Sequence, residues 1–335
     1  MSALVICTGG GIGDVLLATP VMRALRGRFG DVVALTSPAH RDVLANDPDL
    51  SGVWIDDLGF AEQAKRIAAA RFDAAVVTWA TARAAALPLV AGVPIRVGQA
   101  RRLYSLAFTE RVRIKSEFAD HTTHWTQILL DFARAIGCDT ADATPRFAEP
   151  DAARANVASL LRAEGVLGRY VVLHPTRGIA ALRERWPVVR LAELARALGA
   201  AYDARVIVTG SAADRSISER IAQAGAALSL AGRTSLAEFG ALAEGALAVV
   251  AMDSGPMHIA AAVGAPTLGI FALQTDEPDR WAPLGPRVAV VRATYPCPPG
   301  HRKETCPNFA CVEALDIARL LAALDELLAR EPGSA

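Results

Sequence analysis

The chain has 335 residues, enough for about two domains that each bury a core. Thirty-five basic residues balance thirty-five acidic ones, so the basic surplus of a nucleic-acid binder is missing and no nucleic-acid partner is expected. No apolar run reaches the roughly 18 to 20 residues of a membrane span, and the first basic residue is Arg23, which leaves no basic start for a secretory leader. A cytoplasmic protein with largely reduced cysteines is the expectation.

Residues 4–8 form a short apolar strand that runs into GGGIGDVLLATPVMRALR. Gly9, Gly10, Gly11 and Gly13 make a tight turn, and Asp14 opens an amphipathic helix that runs to about Arg28. A dinucleotide fingerprint needs glycines at its first, third and sixth positions and an acid ending the next strand. Counted from Gly9 the sixth position is Asp14, and the next strand, 32–36, ends in Thr36-Ser37-Pro38. The Gly-Lys-Ser/Thr of a phosphate-binding loop is absent too. Both nucleotide readings of this turn fail, which argues against a dinucleotide oxidoreductase. What remains is a glycine-rich turn that aims one carboxylate at the carboxyl end of a sheet, or an Asp14 that only caps its helix.

Strand and helix then alternate: strand 53–56, helix 61–70, strand 73–78, helix 80–91. Helices between short apolar runs imply parallel strands in a doubly wound α/β sheet. Between residues 96 and 115 six basic side chains (Arg96, Arg101, Arg102, Arg111, Arg113, Lys115) face a single acid, Glu110. A solvated face and a site for an anionic partner both fit. His121-Thr122-Thr123-His124-Trp125 begins a helix ending near Gly137, and its histidines are either site residues or ordinary helix-start residues. Residues 142–153, with Pro145 and Pro150, mark the boundary between a domain 1–150 and a domain 151–335.

The second domain repeats the alternation. Strand 170–174 leads into the turn HPTRGIAALRERWP, followed by helix 188–198, strand 205–209 and the turn Gly210-Ser211-Ala212-Ala213-Asp214. After a helix to about Ala224, residues 228–230, helix 236–245 and strand 248–252 comes Asp253-Ser254-Gly255-Pro256. Helix 257–262, strand 266–271, strand 288–291, a cysteine-bearing loop and helix 316–329 complete the chain. In the Asp253 turn, Asp253 or Ser254 can cap the helix, Pro256 suits its first turn, and Gly255 lets a ligand approach the backbone. Unpaired N–H groups there suit a phosphate, although a well-capped turn with no ligand has the same sequence. His258 in this helix could equally be a packed core histidine. Cys297, His301, Cys306 and Cys311 lack the paired Cys-x-x-Cys spacing of a zinc site, so no metal is expected. Two such domains should face each other across a cleft between the carboxyl ends of their sheets, where ligands bind.

Taken together, GIGDVLLATPVMRALR, HPTRGIAALRERWP with VVRLAELARAL, VIVTGSAADRSISERIA, DSGPMHIAAAVGAPTLGIF and CPPGHRKETCPNFACVEAL resemble glycosyltransferase family 9, the ADP-heptose:lipopolysaccharide heptosyltransferases, over nearly the whole length. The resemblance implies the GT-B fold, two doubly wound Rossmann-like domains, with an acceptor-side first domain and a donor domain whose final helix packs back on the first. It implies an inverting transfer of a heptose from a nucleotide-sugar donor, ADP-heptose, to an anionic lipopolysaccharide-core acceptor. It implies that neither a metal nor another cofactor takes part. Asp14 matches the general base, and inversion needs one base and no covalent nucleophile. Asp253, Ser254 and Gly255 match the turn holding the donor, with His258 in the helix that follows. Thr176 matches the hydroxyl residue after the second domain's first strand, and Asp214 an acid contacting the nucleotide. Gly13, Arg101, Arg102 and His121 fall on the acceptor side.

One departure concerns charge. The family places a lysine two residues before the Trp-Pro, where it neutralises the leaving diphosphate; here that position is Glu184, flanked by Arg183 and Arg185. Arg183 or Arg185 is expected to take the role, with a bidentate fork in place of a point charge. A nucleotide-sugar epimerase with the same two domains, another donor or acceptor within the family, and a catalytically silent relative are the competing readings. Peripheral contact with the inner membrane is a further expectation.

Overall fold

The computed structural model describes residues 1–177, 185–273, 276–298 and 306–330. The chain divides into two compact units, Met1–Ala148 and Glu149–Ala335. In the first, β1 (Ser2–Cys7), β2 (Asp31–Thr36), β3 (Gly52–Ile55), β4 (Ala74–Val77), β5 (Ile95–Gln99) and β6 (Glu110–Val112) form one sheet in the order β3-β2-β1-β4-β5-β6. Every neighbouring pair is parallel, with Val5 opposite both Ala34 and Val76. Central strands of such a sheet carry helices on both faces, which is why β1 and β4 are uninterrupted apolar runs. Leu4, Ile6, Leu35, Val77 and Phe108 form a core on one of these faces.

The second unit contains β7 (Tyr170–His174), β8 (Arg205–Val208), β9 (Leu228–Ser229), β10 (Ala248–Met252), β11 (Thr267–Phe271) and β12 (Val288–Arg292). Their order is β12-β11-β10-β7-β8-β9, again all parallel. Read from the other edge this is the first unit's order repeated. Each unit therefore has one place where the winding reverses, beside β1 and β4 in the first and beside β7 and β10 in the second.

Several details differ from the sequence expectation. The helix expected from Asp14 to Arg28 is two helices, Ile12–Leu16 and Thr19–Phe29. Pro20 lacks an N–H and its ring would crowd the Leu16 carbonyl, so the first helix stops and the Thr19 hydroxyl takes that carbonyl at 2.9 Å. The basic stretch 96–115 includes most of β5 and the edge strand β6, whose charged and polar residues hide them from an apolar-run criterion. The helix before Gly137 begins at Trp125, with the His124 ring nitrogen accepting the Thr126 N–H at 3.2 Å. The final helix, Ile317–Ala329, places Leu320, Leu324 and Leu327 in the second unit's core. Among the described residues no helix is long and apolar enough to cross a membrane.

Candidate active site

In the first unit the turn after β1 presents Asp14 at the sheet's carboxyl edge. Asp14 Oδ2 accepts the Gly11 N–H at 2.8 Å, closing the first turn of Ile12–Leu16, so the capping role is real. The carboxylate is nevertheless half-buried, and desolvation raises its pKa above the usual carboxylate range against the opposing pull of the Gly11 bond and of His40. Close packing dictates the glycines here. A side chain at Gly9 would strike the Trp79 ring, and one at Gly10, whose φ is +77°, would meet the Asp14 carboxylate 2.8 Å away. Trp79 leaves β4 on the other side of the reversal. His40, bonded through Nδ1 to Ser37 Oγ at 3.0 Å, has its pKa lowered by burial and pushed back up by Asp14. Gly13 sits beside Asp14 in the same short helix, its carbonyl accepting the Leu17 N–H at 2.8 Å.

The basic stretch is less concentrated than its sequence suggests. Arg96 is built into the fold, donating to the carbonyls of Ala107 and Val93 at 2.7 Å. Lys115 pairs with Asp131 at 3.2 Å. Arg101 donates to the Glu117 carbonyl at 3.0 Å and Arg102 to the Glu117 carboxylate at 3.1 Å. Arg111 and Arg113 are exposed and make no ion pair among the described residues. His121 lies exposed on the loop before Trp125.

In the second unit the turns after β7, β10 and β11 are tied by one side chain that the sequence did not single out. Arg177 donates to Asp253 Oδ2 at 2.6 Å and to both oxygens of Asp276 at 2.7 Å. The Arg177 side chain is 7% exposed and that of Asp276 3%. Asp253 is therefore held in a buried cluster of two acids and one base. Its neighbour Ser254 occupies the N-cap position of the helix Gly255–Ala262, but its hydroxyl donates to the Met252 carbonyl at 2.8 Å and makes no cap bond. The expected side-chain cap is thus absent, because the serine closes the strand end instead. The helix starts at Gly255, two residues earlier than the sequence suggested, with Pro256 in its first turn and His258 buried.

Thr176 is buried, and its hydroxyl has no hydrogen-bond partner among the described residues. Asp214 is also buried, its carboxylate taken up by the Ser211 hydroxyl at 2.5 Å. His174, at the end of β7, is bonded through Nδ1 to Thr209 Oγ1 at 3.0 Å, and burial lowers its pKa to about 4. Arg183 and Glu184 lie outside the described residues. Arg185 donates to the Cys306 carbonyl and lies 5.9 Å from the Phe309 ring centroid. Trp186 packs on the same ring at 5.2 Å and donates to the Pro175 carbonyl at 2.7 Å, joining the two ends of the HPTRGIAALRERWP turn.

Cys306 and Cys311 are part of the second core, and burial pushes the Cys311 thiol up to about 12, with Cys297 and Cys306 adding to the shift. Among the described residues no group of three or more His, Cys, Asp or Glu side chains is placed to hold a metal ion. His301 lies outside them. The sequence reading thus missed His40, Trp79, Arg177 and Asp276. Arg177 stood inside a quoted motif, next to Thr176; Asp276 carried no signal of its own.

Comparison with known proteins agrees with this architecture. The family model described as "Glycosyltransferase family 9 (heptosyltransferase)" matches residues 61–309. Lipopolysaccharide heptosyltransferase 2 of Escherichia coli is 26% identical over 307 residues, 84% of this chain and 85% of that protein. Lipooligosaccharide heptosyltransferase 2 of Haemophilus influenzae is 36% identical over 115 residues, a match spanning only 32% of each protein. The solved structure of E. coli ADP-heptose lps heptosyltransferase II superposes with a TM-score of 0.79 at 21% identity, over 98% of both chains, and bears out the two-domain GT-B fold class. The family model covers most of the chain and takes in the Thr176 and Asp253 turns; the chain belongs to glycosyltransferase family 9, the heptosyltransferases.

Proposed function

We propose that this glycosyltransferase transfers a heptose from ADP-heptose to an anionic lipopolysaccharide-core acceptor, with inversion and without a metal ion. The observation that carries the reading is Asp14: a half-buried carboxylate at the winding reversal of the first sheet, its pKa raised by desolvation. A carboxylate with a raised pKa is a better proton acceptor than an exposed one. One oxygen is fixed by the Gly11 N–H, and the remaining lone pairs can take the proton of an acceptor hydroxyl as it attacks the anomeric carbon. As the C–O bond to the sugar forms, the bond to the diphosphate breaks, and the nucleoside diphosphate leaves with the electron pair.

In the second unit the first turn of Gly255–Ala262, left without a side-chain cap, would receive the donor's diphosphate, since backbone N–H groups and the positive end of a helix favour an anion. Thr176 would supply a hydroxyl donor. Asp253, held in place by Arg177, would accept from a sugar or ribose hydroxyl. The arginines flanking Glu184 would share the charge of the leaving group. The names of the E. coli and H. influenzae relatives support the acceptor class, and that of the E. coli structure supports the donor. A screen of nucleotide diphosphate sugars against a heptose-deficient lipopolysaccharide acceptor, read by product mass, tests the reading. Transfer from ADP-heptose with inverted anomeric configuration is expected. Transfer only from another donor would refute the donor assignment, and donor turnover without any acceptor would favour the epimerase reading.

A further inference from the structure

We infer that the first unit docks on the surface of an anionic lipid bilayer through the short 3-10 turn Leu103–Ala107 and the neighbouring Phe118. In a 3-10 helix residues three apart lie one above the other, so Leu103 and Leu106 share one outward face; they are 87% and 69% exposed. The opposite side of the turn is firmly anchored. The Tyr104 hydroxyl donates to the Ala80 carbonyl at 3.0 Å and the Ser105 hydroxyl to the Gln99 carbonyl at 2.6 Å. The leucines are therefore held outward by a rigid attachment.

Phe118 is 53% exposed, and Arg101 and Arg102, which lead into the Leu103 turn, both bond its neighbour Glu117. The guanidinium groups of Arg101 and Arg113 lie 5.5 and 5.3 Å from its ring centroid, and Arg102 pairs with the adjacent Glu117. Arg101 and Arg113 thus stand at Phe118, Arg102 leads directly into Leu103, and Arg111 is exposed on the strand that runs into Arg113, against the acids Glu110, Glu117 and Asp120. A purely solvated face has no use for the leucines, and an apolar protein partner has no use for the arginines. An anionic bilayer satisfies both, with cations at the headgroups and apolar side chains at the acyl boundary. Ala80 and Gln99 follow β4 and end β5, so this surface lies at the same carboxyl edge of the sheet as Asp14. That placement suits the lipid-borne acceptor proposed above, but the docking itself depends on neither donor nor acceptor.

Flotation of the full chain with phosphatidylcholine vesicles, with and without phosphatidylglycerol and in the absence of donor and acceptor, tests the inference. The wild type should float with the anionic vesicles, less so as salt is raised. The double variant Leu103→Ser/Leu106→Ser should lose about tenfold or more in partitioning. Arg111→Gln and Arg113→Gln should each lose about fivefold on anionic vesicles. All four positions are exposed, so thermal unfolding should match the wild type. A wild type that stays in the soluble fraction, that floats equally on neutral vesicles, or whose serine or glutamine variants float unchanged would overturn the inference. So would light scattering showing that the leucines instead join two copies of the chain.

Discussion

Replacing Arg177 by methionine removes the charge that links three loops while keeping most of the side-chain volume. In the wild type Asp276 receives two bonds of 2.7 Å from this guanidinium and Asp253 one of 2.6 Å. The variant leaves Asp276, almost fully buried, with the Leu273 N–H at 3.2 Å as its remaining bond among the described residues, and the Asp253 carboxylate that shared the guanidinium is stranded with it. Removing one partner of a buried ion pair costs about 3–5 kcal/mol, since the remaining charge is uncompensated. For a unit of this size that lowers the unfolding midpoint by roughly 6–20 °C. Differential scanning calorimetry, following the transition of the second unit, measures the loss. Adding Asp276→Asn to Arg177→Met deletes one of the stranded charges and should recover part of it, whereas Asp276→Asn alone should destabilise. A midpoint shift below about 3 °C, or no recovery in the double variant, would refute the claim that Arg177 compensates these acids. Donor affinity should fall along with stability, because Asp253 is no longer held in place.

Four further outcomes are expected. Asp14→Asn should preserve the thermal transition and donor binding while lowering turnover by about a hundredfold or more; near-normal turnover would remove Asp14 from the base role. Activity should be unchanged by EDTA, and a loss reversed by added magnesium or zinc would disprove a metal-free diphosphate site. Replacing Arg101 and Arg102 by serine should raise the acceptor's apparent KM and leave the donor's unchanged, although their bonds to Glu117 predict a smaller effect than two free cations would give; a shift in the donor's KM would reassign them. His174, with a pKa lowered to about 4 in the folded chain against an ordinary 6.5, binds a proton more readily unfolded. The unfolded state then holds more protons between these values, so stability is fully present above about pH 6.5 and lost as pH falls toward 4, by at most about 3 kcal/mol. Urea midpoints compared at pH 7 and pH 5 for the wild type and His174→Asn check this, and equal pH slopes would disprove it.

The sequence by itself determined the fold class. Apolar runs separated by helices of regular period leave parallel strands as the one arrangement that buries them, and β1, β7, β10 and β11 were visible for that reason. The turns after β1 and β10 were equally legible, because a glycine-rich turn and an Asp-Ser-Gly-Pro turn are local chemistry. Strands β5 and β6 were not, since IRVGQ and ERV lie toward the sheet edge, where charged side chains can reach solvent and the apolar signal disappears.

Only the tertiary structure decided what the site residues hold. Asp253 and Asp276 are brought to one guanidinium across a 99-residue separation between Arg177 and Asp276, and no local pattern encodes that pairing. Ser254 looked like a helix cap, whose oxygen would accept a helix N–H, but its hydroxyl instead donates to the strand's last carbonyl, that of Met252. Six basic residues in twenty read as one patch, yet Arg96 and Lys115 are taken up by carbonyls and by Asp131. The raised pKa of Asp14 arises from the burial around it. Composition and spacing specify which groups a chain owns; desolvation and long-range pairing, which set their chemistry, exist only once the sheets have closed around them.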